Sequence, residues 1–103
     1  MMVYQVNESN FESEVLQSPV PVLVDFNATW CGPCRMLKPV LEQLAEERPD
    51  VKVVSVDVDE APELAEEYDV SSIPCVVLMK NGQEADRSVG FMPKDGLLAL
   101  IGG

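Results

Sequence analysis

Residues 22–47 read VLVDFNATWCGPCRMLKPVLEQLAEE, and the two halves of that run follow different periods. Val22-Leu23-Val24-Asp25-Phe26 is apolar but for one carboxylate and follows Pro19 and Pro21, whose predecessors are pushed out of helical backbone. It reads as a central strand. From about Gly32 the apolar residues Leu37, Val40, Leu41 and Leu44 recur at helical spacing, with Glu42, Gln43, Glu46 and Glu47 between them. That is an amphipathic helix, with a kink expected at Pro39. The strand therefore passes into the helix through Trp30-Cys31-Gly32-Pro33-Cys34.

Working outward, Val3, Tyr4 and Val6 predict a short edge strand, and Ser9 with Glu12 forms a capping-box pattern ahead of Phe11, Val15 and Leu16, so a helix is expected from Ser9. Val51 to Val58 alternates valine with Ser55 and Asp57, as a strand with one more polar face would. A short helix follows from Pro62 to Tyr68. Cys75–Lys80 and Glu84–Val89 flank Asn81-Gly82, the dipeptide that most readily turns a tight hairpin, so these strands are antiparallel neighbours. Pro93 suits the first turn of a last helix carrying Leu97, Leu98 and Ile101. The order β-α-β-α-β-α-β-β-α predicts an α/β fold of three layers: a mixed central sheet of about five strands with four helices divided between its faces.

A length of 103 residues predicts a single domain, 1–103, and 47% apolar with 24% charged residues places it in the globular class. The net charge of -11 opposes nucleic acid and anionic lipid as partners, because both are bound by basic side chains. The longest apolar runs, Cys75–Met79 and Leu97–Ile101, fall far short of the roughly 20 residues that span a bilayer. There is no basic residue before Arg35 and no early apolar stretch, so the expected location is the cytoplasm.

Cys31 and Cys34 sit where the strand hands over to the helix, so unpaired N–H groups and the positive end of the helix dipole face the first sulfur. That setting favours thiolate and makes Cys31 the expected nucleophile. Three residues along a helix is nearly one turn, so Cys34 lies on the same side, close enough to close a disulfide and to resolve a mixed one as its buried partner. Gly32 lets the chain turn and Pro33 restricts it. A zinc site fails on ligand count, since the chain has no histidine and only one more cysteine, Cys75, and an iron-sulfur cluster fails likewise. Asp25 has two readings: a carboxylate on an exposed face, or a buried one with a raised pKa that passes a proton to or from Cys34. Cys75, inside a strand, reads first as a buried, inert thiol, with a redox or regulatory part as the lesser alternative.

Val24-Asp25-Phe26, Trp30-Cys31-Gly32-Pro33-Cys34, Ile73-Pro74, Asn81-Gly82 and Val89-Gly90, in this order, resemble the thioredoxin family across essentially the whole chain. The resemblance implies a general protein-disulfide reductase in which Cys31 attacks a client disulfide, Cys34 releases it and Asp25 is a buried acid-base group. It implies that Pro74 is cis against the cysteine pair, and that Trp30, Gly32, Pro33, Ile73, Pro74, Val89 and Gly90 form an apolar surface on which a client's extended segment docks. It implies a monomer with no bound cofactor or metal, recycled by a thioredoxin reductase that takes electrons from NADPH or another donor, in electron transport and cell redox homeostasis. Three positions depart from the family's pattern: Asn27 stands where many members carry a second tryptophan, Ser55 where a lysine often pairs with the buried acid, and Cys75 where threonine usually follows the proline. Two other uses of the fold are possible in principle, a dedicated isomerase or maturation factor and a non-catalytic scaffold; the Gly32-Pro33 pair favours the general reductant.

Overall fold

A computed structural model describes residues 3–102. Its sheet has five strands, β1 Val3–Gln5, β2 Val22–Asn27, β3 Lys52–Asp57, β4 Cys75–Lys80 and β5 Gln83–Val89, in the spatial order β1-β3-β2-β4-β5. β1 and β2 run parallel to β3 on either side of it, whereas β4 is antiparallel to both β2 and β5. The parallel pairs are reached through helical crossovers, and β4 and β5 through the two-residue turn at Asn81-Gly82, where both residues have positive φ (54° and 77°). The α-helices are α1 Gly32–Glu47, α2 Pro62–Glu67 and α3 Lys94–Ile101, and a π-helical turn covers Glu12–Leu16. Among the described residues no helix is long and apolar enough to cross a membrane.

Because side chains alternate along a strand, β2 feeds two cores. Leu23 joins Leu37, Leu41 and Leu44 of α1, Val53, Val76, Leu78 and Leu97 on one face. Val22, Val24 and Phe26 join Phe11, Val15, Val54, Val77 and Leu64 on the other. At roughly 1.5–3 kcal/mol for each fully buried large apolar side chain, these two layers hold the helices on the sheet. α1 runs unbroken through Pro39, whose ring lies on the exposed side.

One local expectation is corrected. The helix expected near Ser9 is present but begins later, at Glu12, and Ser9 does not cap it: its backbone N–H and its Oγ–H both donate to Asn7 Oδ1, at 2.9 and 2.6 Å, while Asn10 Oδ1 accepts from the Asn7 N–H at 2.8 Å. The two asparagines take the local donors first, and the chain makes one π-helical turn, closed by Gln17 N–H to Glu12 O. The more polar face of β3 is present, with Ser55 and the half-buried Asp57 both on the cleft beside α1. Ser55 is 8% exposed, because β3 is an interior strand and that face lies toward α1.

Candidate active site

The cysteines stand at the entry of α1. Cys31 is its N-cap residue, in extended backbone, and its Sγ accepts the Cys34 N–H at 3.2 Å. The cap is thus made by sulfur, where Ser, Thr, Asp or Asn would commonly serve, and a thiolate there would take the same donor and the same dipole end. Cys31 and Cys34 form a disulfide with Cα atoms 5.2 Å apart, within the usual span for such a bond. Cys34 is buried, as expected, but at 4% against 5% for Cys31 its exposure does not separate the two. Surroundings separate them. Cys31 Sγ lies 3.9 Å from the Ile73 carbonyl oxygen, whereas Cys34 lines a cleft on the α1 side of the sheet.

That cleft, about 310 Å³, also exposes Asp25, Asn27, Ser55, Lys38 and Asp57 along its walls. Asp25 shares the face of Leu23 and lies abreast of Ser55 on β3 and Val76 on β4, so it is covered on both sides and is 5% exposed. The buried reading of this carboxylate holds. Burial pushes its pKa up to about 7, and a hydrogen bond from the Asn27 amide pulls part of the way back. A carboxyl balanced between its two forms at neutral pH, on the same cleft as a cysteine, can give or take a proton there.

The Ile73–Pro74 peptide is cis, and Ile73 packs against Ala28, Cys31 and Cys34. Gly90 N–H donates to Pro74 O at 2.7 Å, and Val89 pairs with Cys75, so the start of the loop after β5 lies beside Pro74. Pro33 is exposed and Gly32 half-buried at the helix entry. Trp30 and Val89 are 67% and 58% exposed, a large apolar display. The Trp30 Nε1–H donates to Asp59 Oδ2 at 2.7 Å, a partner that nothing in the local sequence around either residue announces. Arg35 Nη1 donates to Thr29 O at 2.9 Å at the cleft's edge, a placement its helical spacing alone does not signal. Cys75 is buried, and desolvation raises its thiol pKa against the opposing pull of Arg87, whose Nη1 lies 3.9 Å from the sulfur.

The thioredoxin family model matches residues 2–102. The chain belongs to the thioredoxin family. It is 51% identical over 100 residues to the thioredoxin of Chlamydia trachomatis serovar D, covering 97% of this chain and 96% of that one. It is 46% identical over 101 residues to the thioredoxin of Rickettsia prowazekii, again at 97% and 96% coverage. Against thioredoxin 1 of a Nostoc species the figure is 50% over 94 residues, covering 90% and 88%. Thioredoxins are thiol-disulfide oxidoreductases, and this one carries its redox-active disulfide at the mouth of α1 as Cys31–Cys34. The family works with thioredoxin reductase and with disulfide-bearing substrates.

Proposed function

We propose that this thioredoxin is a general reductase of protein disulfides, with residues 1–103 acting as one domain and the two cysteines in fixed, unequal roles. Reduced Cys31, as thiolate, attacks one sulfur of a client disulfide; the Cys31–client bond forms and the client's second sulfur leaves with the electron pair as a thiolate, which takes a proton from water. Cys34 then loses its proton to Asp25 and attacks Cys31 Sγ. The Cys31–Cys34 bond forms, the mixed disulfide breaks with the client's first sulfur leaving as a thiolate, and that sulfur takes up a proton as Asp25 gives its own back to solvent, so the client departs as a dithiol. Two electrons have moved from the cysteine pair to the client, and a thioredoxin reductase returns them.

The observation that carries this order of roles is the N-cap position of Cys31: the 3.2 Å bond from the Cys34 N–H and the helix dipole favour negative charge on that sulfur and not on the other. Asp25 suits the proton's transfer because its pKa of about 7 lets it accept at neutral pH and release afterwards. Trp30, Gly32, Pro33, Ile73, Pro74, Val89 and Gly90 form the docking rim, where an extended client segment is held mostly through backbone and so with little regard to its side chains. The chain acts as a monomer in the cytoplasm with no bound cofactor, serving electron transport and redox homeostasis.

Reduction of insulin-type disulfides tests the roles. Cys31→Ser loses turnover altogether, while Cys34→Ser accumulates covalent client adducts on Cys31. Turnover surviving in either variant, or adducts forming on Cys34 first, overturns the assignment.

A further inference from the structure

The carboxyl of Asp25 is held unevenly. Among the described residues its one hydrogen bond comes from Asn27 Nδ2 to Oδ2, at 3.3 Å, and Oδ1 is buried with no partner. Leaving such an atom bare is costly for a carboxylate and much less so for a carboxyl that carries its proton there. The two hydrogens of the Asn27 amide are shared among four acceptors, Ser55 Oγ at 2.7 Å, the Asp25 carbonyl oxygen at 2.9 Å, and Asp25 Oδ2 and the Val56 carbonyl oxygen at 3.3 Å each, so the bond to Oδ2 is a bifurcated one whose direction the two shorter bonds fix. Asn27 follows Asp25 by two residues on β2, so both point to the same face, and Ser55 is the register partner of Asp25 on β3. All three line the cleft with Cys34.

We propose that Asn27 and Ser55 are positioning residues for proton transfer: the amide, oriented by the Ser55 hydroxyl, holds Asp25 Oδ2, so that the proton exchanged with Cys34 is carried on Oδ1. This rests on the reading of Asp25 given above. In the resolving step the Cys34 S–H bond breaks, the Oδ1–H bond forms, and the sulfur's electron pair makes the bond to Cys31 while the client thiolate leaves. The cleft is large enough for water to bridge any gap between the two groups. Asp25 also faces Cys34, Arg35 and Lys38 on α1 and Asp57 on β3 around the cleft, with uncharged Gln5 on β1 and Val76 on β4. Those charges set the background field, and they are left in place by changing only the neutral pair.

The test is a carbon NMR titration of the Asp25 carboxyl in the reduced protein, assigned by its loss in Asp25→Asn, alongside the pH profile of client-disulfide turnover. Removing the amide donor in Asn27→Ala weakens the charged form, so the midpoint moves upward by about half a pH unit or more, and the rate profile moves with it. Ser55→Ala moves it the same way by less. Because Ser55 acts through Asn27, the double variant moves no further than Asn27→Ala alone. A midpoint that stays put or falls in Asn27→Ala, or shifts in the two single variants that simply add, overturns the positioning proposal; should Asn27→Ala not fold, an unmoved midpoint in Ser55→Ala does so. A turnover profile indifferent to Asp25→Asn overturns the role of Asp25 itself, whichever way the titration moves.

Discussion

Asp25 is the residue at which chemistry and stability pull apart. Its carboxyl has an ordinary pKa of 3.8 and one of about 7 in the fold. Between those values the folded chain binds a proton that the unfolded chain has released, so the contribution of Asp25 to stability is fully present below about pH 4 and is lost as pH rises through 7. The full difference is on the order of 4 kcal/mol at alkaline pH. Asp25→Asn removes that dependence: thermal melts at pH 8.5 show the variant clearly more stable than the parent, and melts at pH 4 show the two close together. A variant no more stable at pH 8.5 would mean that the carboxylate is better solvated than its 5% exposure implies. Cys75 illustrates the opposite outcome for a lone ionisable group: desolvation keeps it a thiol, and it is part of the core.

At the scale of elements, the two ends of the first crossover are pinned by small features. Gly82 has φ +77°, and a Cβ there would meet the Leu16 carbonyl oxygen at 3.1 Å, so the β4–β5 turn is docked against the end of the π-helical turn. Gly82→Ala is therefore expected to cost about 1–2 kcal/mol in denaturant unfolding, from the backbone conformation and the close contact together. The asparagine turn before Phe11 yields a second contrast. Asn7→Ala removes the acceptor for the Ser9 N–H and hydroxyl and should cost roughly 0.5–2 kcal/mol, by analogy with a lost helix cap. Ser9→Ala, which a capping box would make the costly change, should stay within about 0.5 kcal/mol. Equal effects in the two variants would restore Ser9 as the organising residue.

For the whole molecule, 18 acidic against 7 basic residues leave a net charge of -11. Four cations are engaged in ion pairs among the described residues, Arg48–Asp50, Lys52–Glu14, Arg87–Glu84 and Lys94–Glu47, and surface pairs of this kind each contribute little. Self-repulsion should outweigh them. Raising sodium chloride from about 0.01 M to about 1 M shrinks the screening length from about 30 to about 3 Å, so the melting temperature at pH 7 should rise; a fall would mean that the ion pairs dominate. By itself the sequence determined the strands and the three α-helices, their order, the hairpin at Asn81-Gly82 and the placing of two cysteines at a strand-to-helix junction. Those features depend on local backbone preferences and on which side of its own element each apolar residue occupies, and a periodic pattern records both. Only the tertiary structure decided that Asp25 is buried, that Asn27 meets Ser55 across 28 positions of chain, that Trp30 meets Asp59 across 29, and that the Ile73 carbonyl lies beside Cys31 across 42. Strand order and register set those meetings, and the free energy of a buried polar group depends on which distant segments cover it.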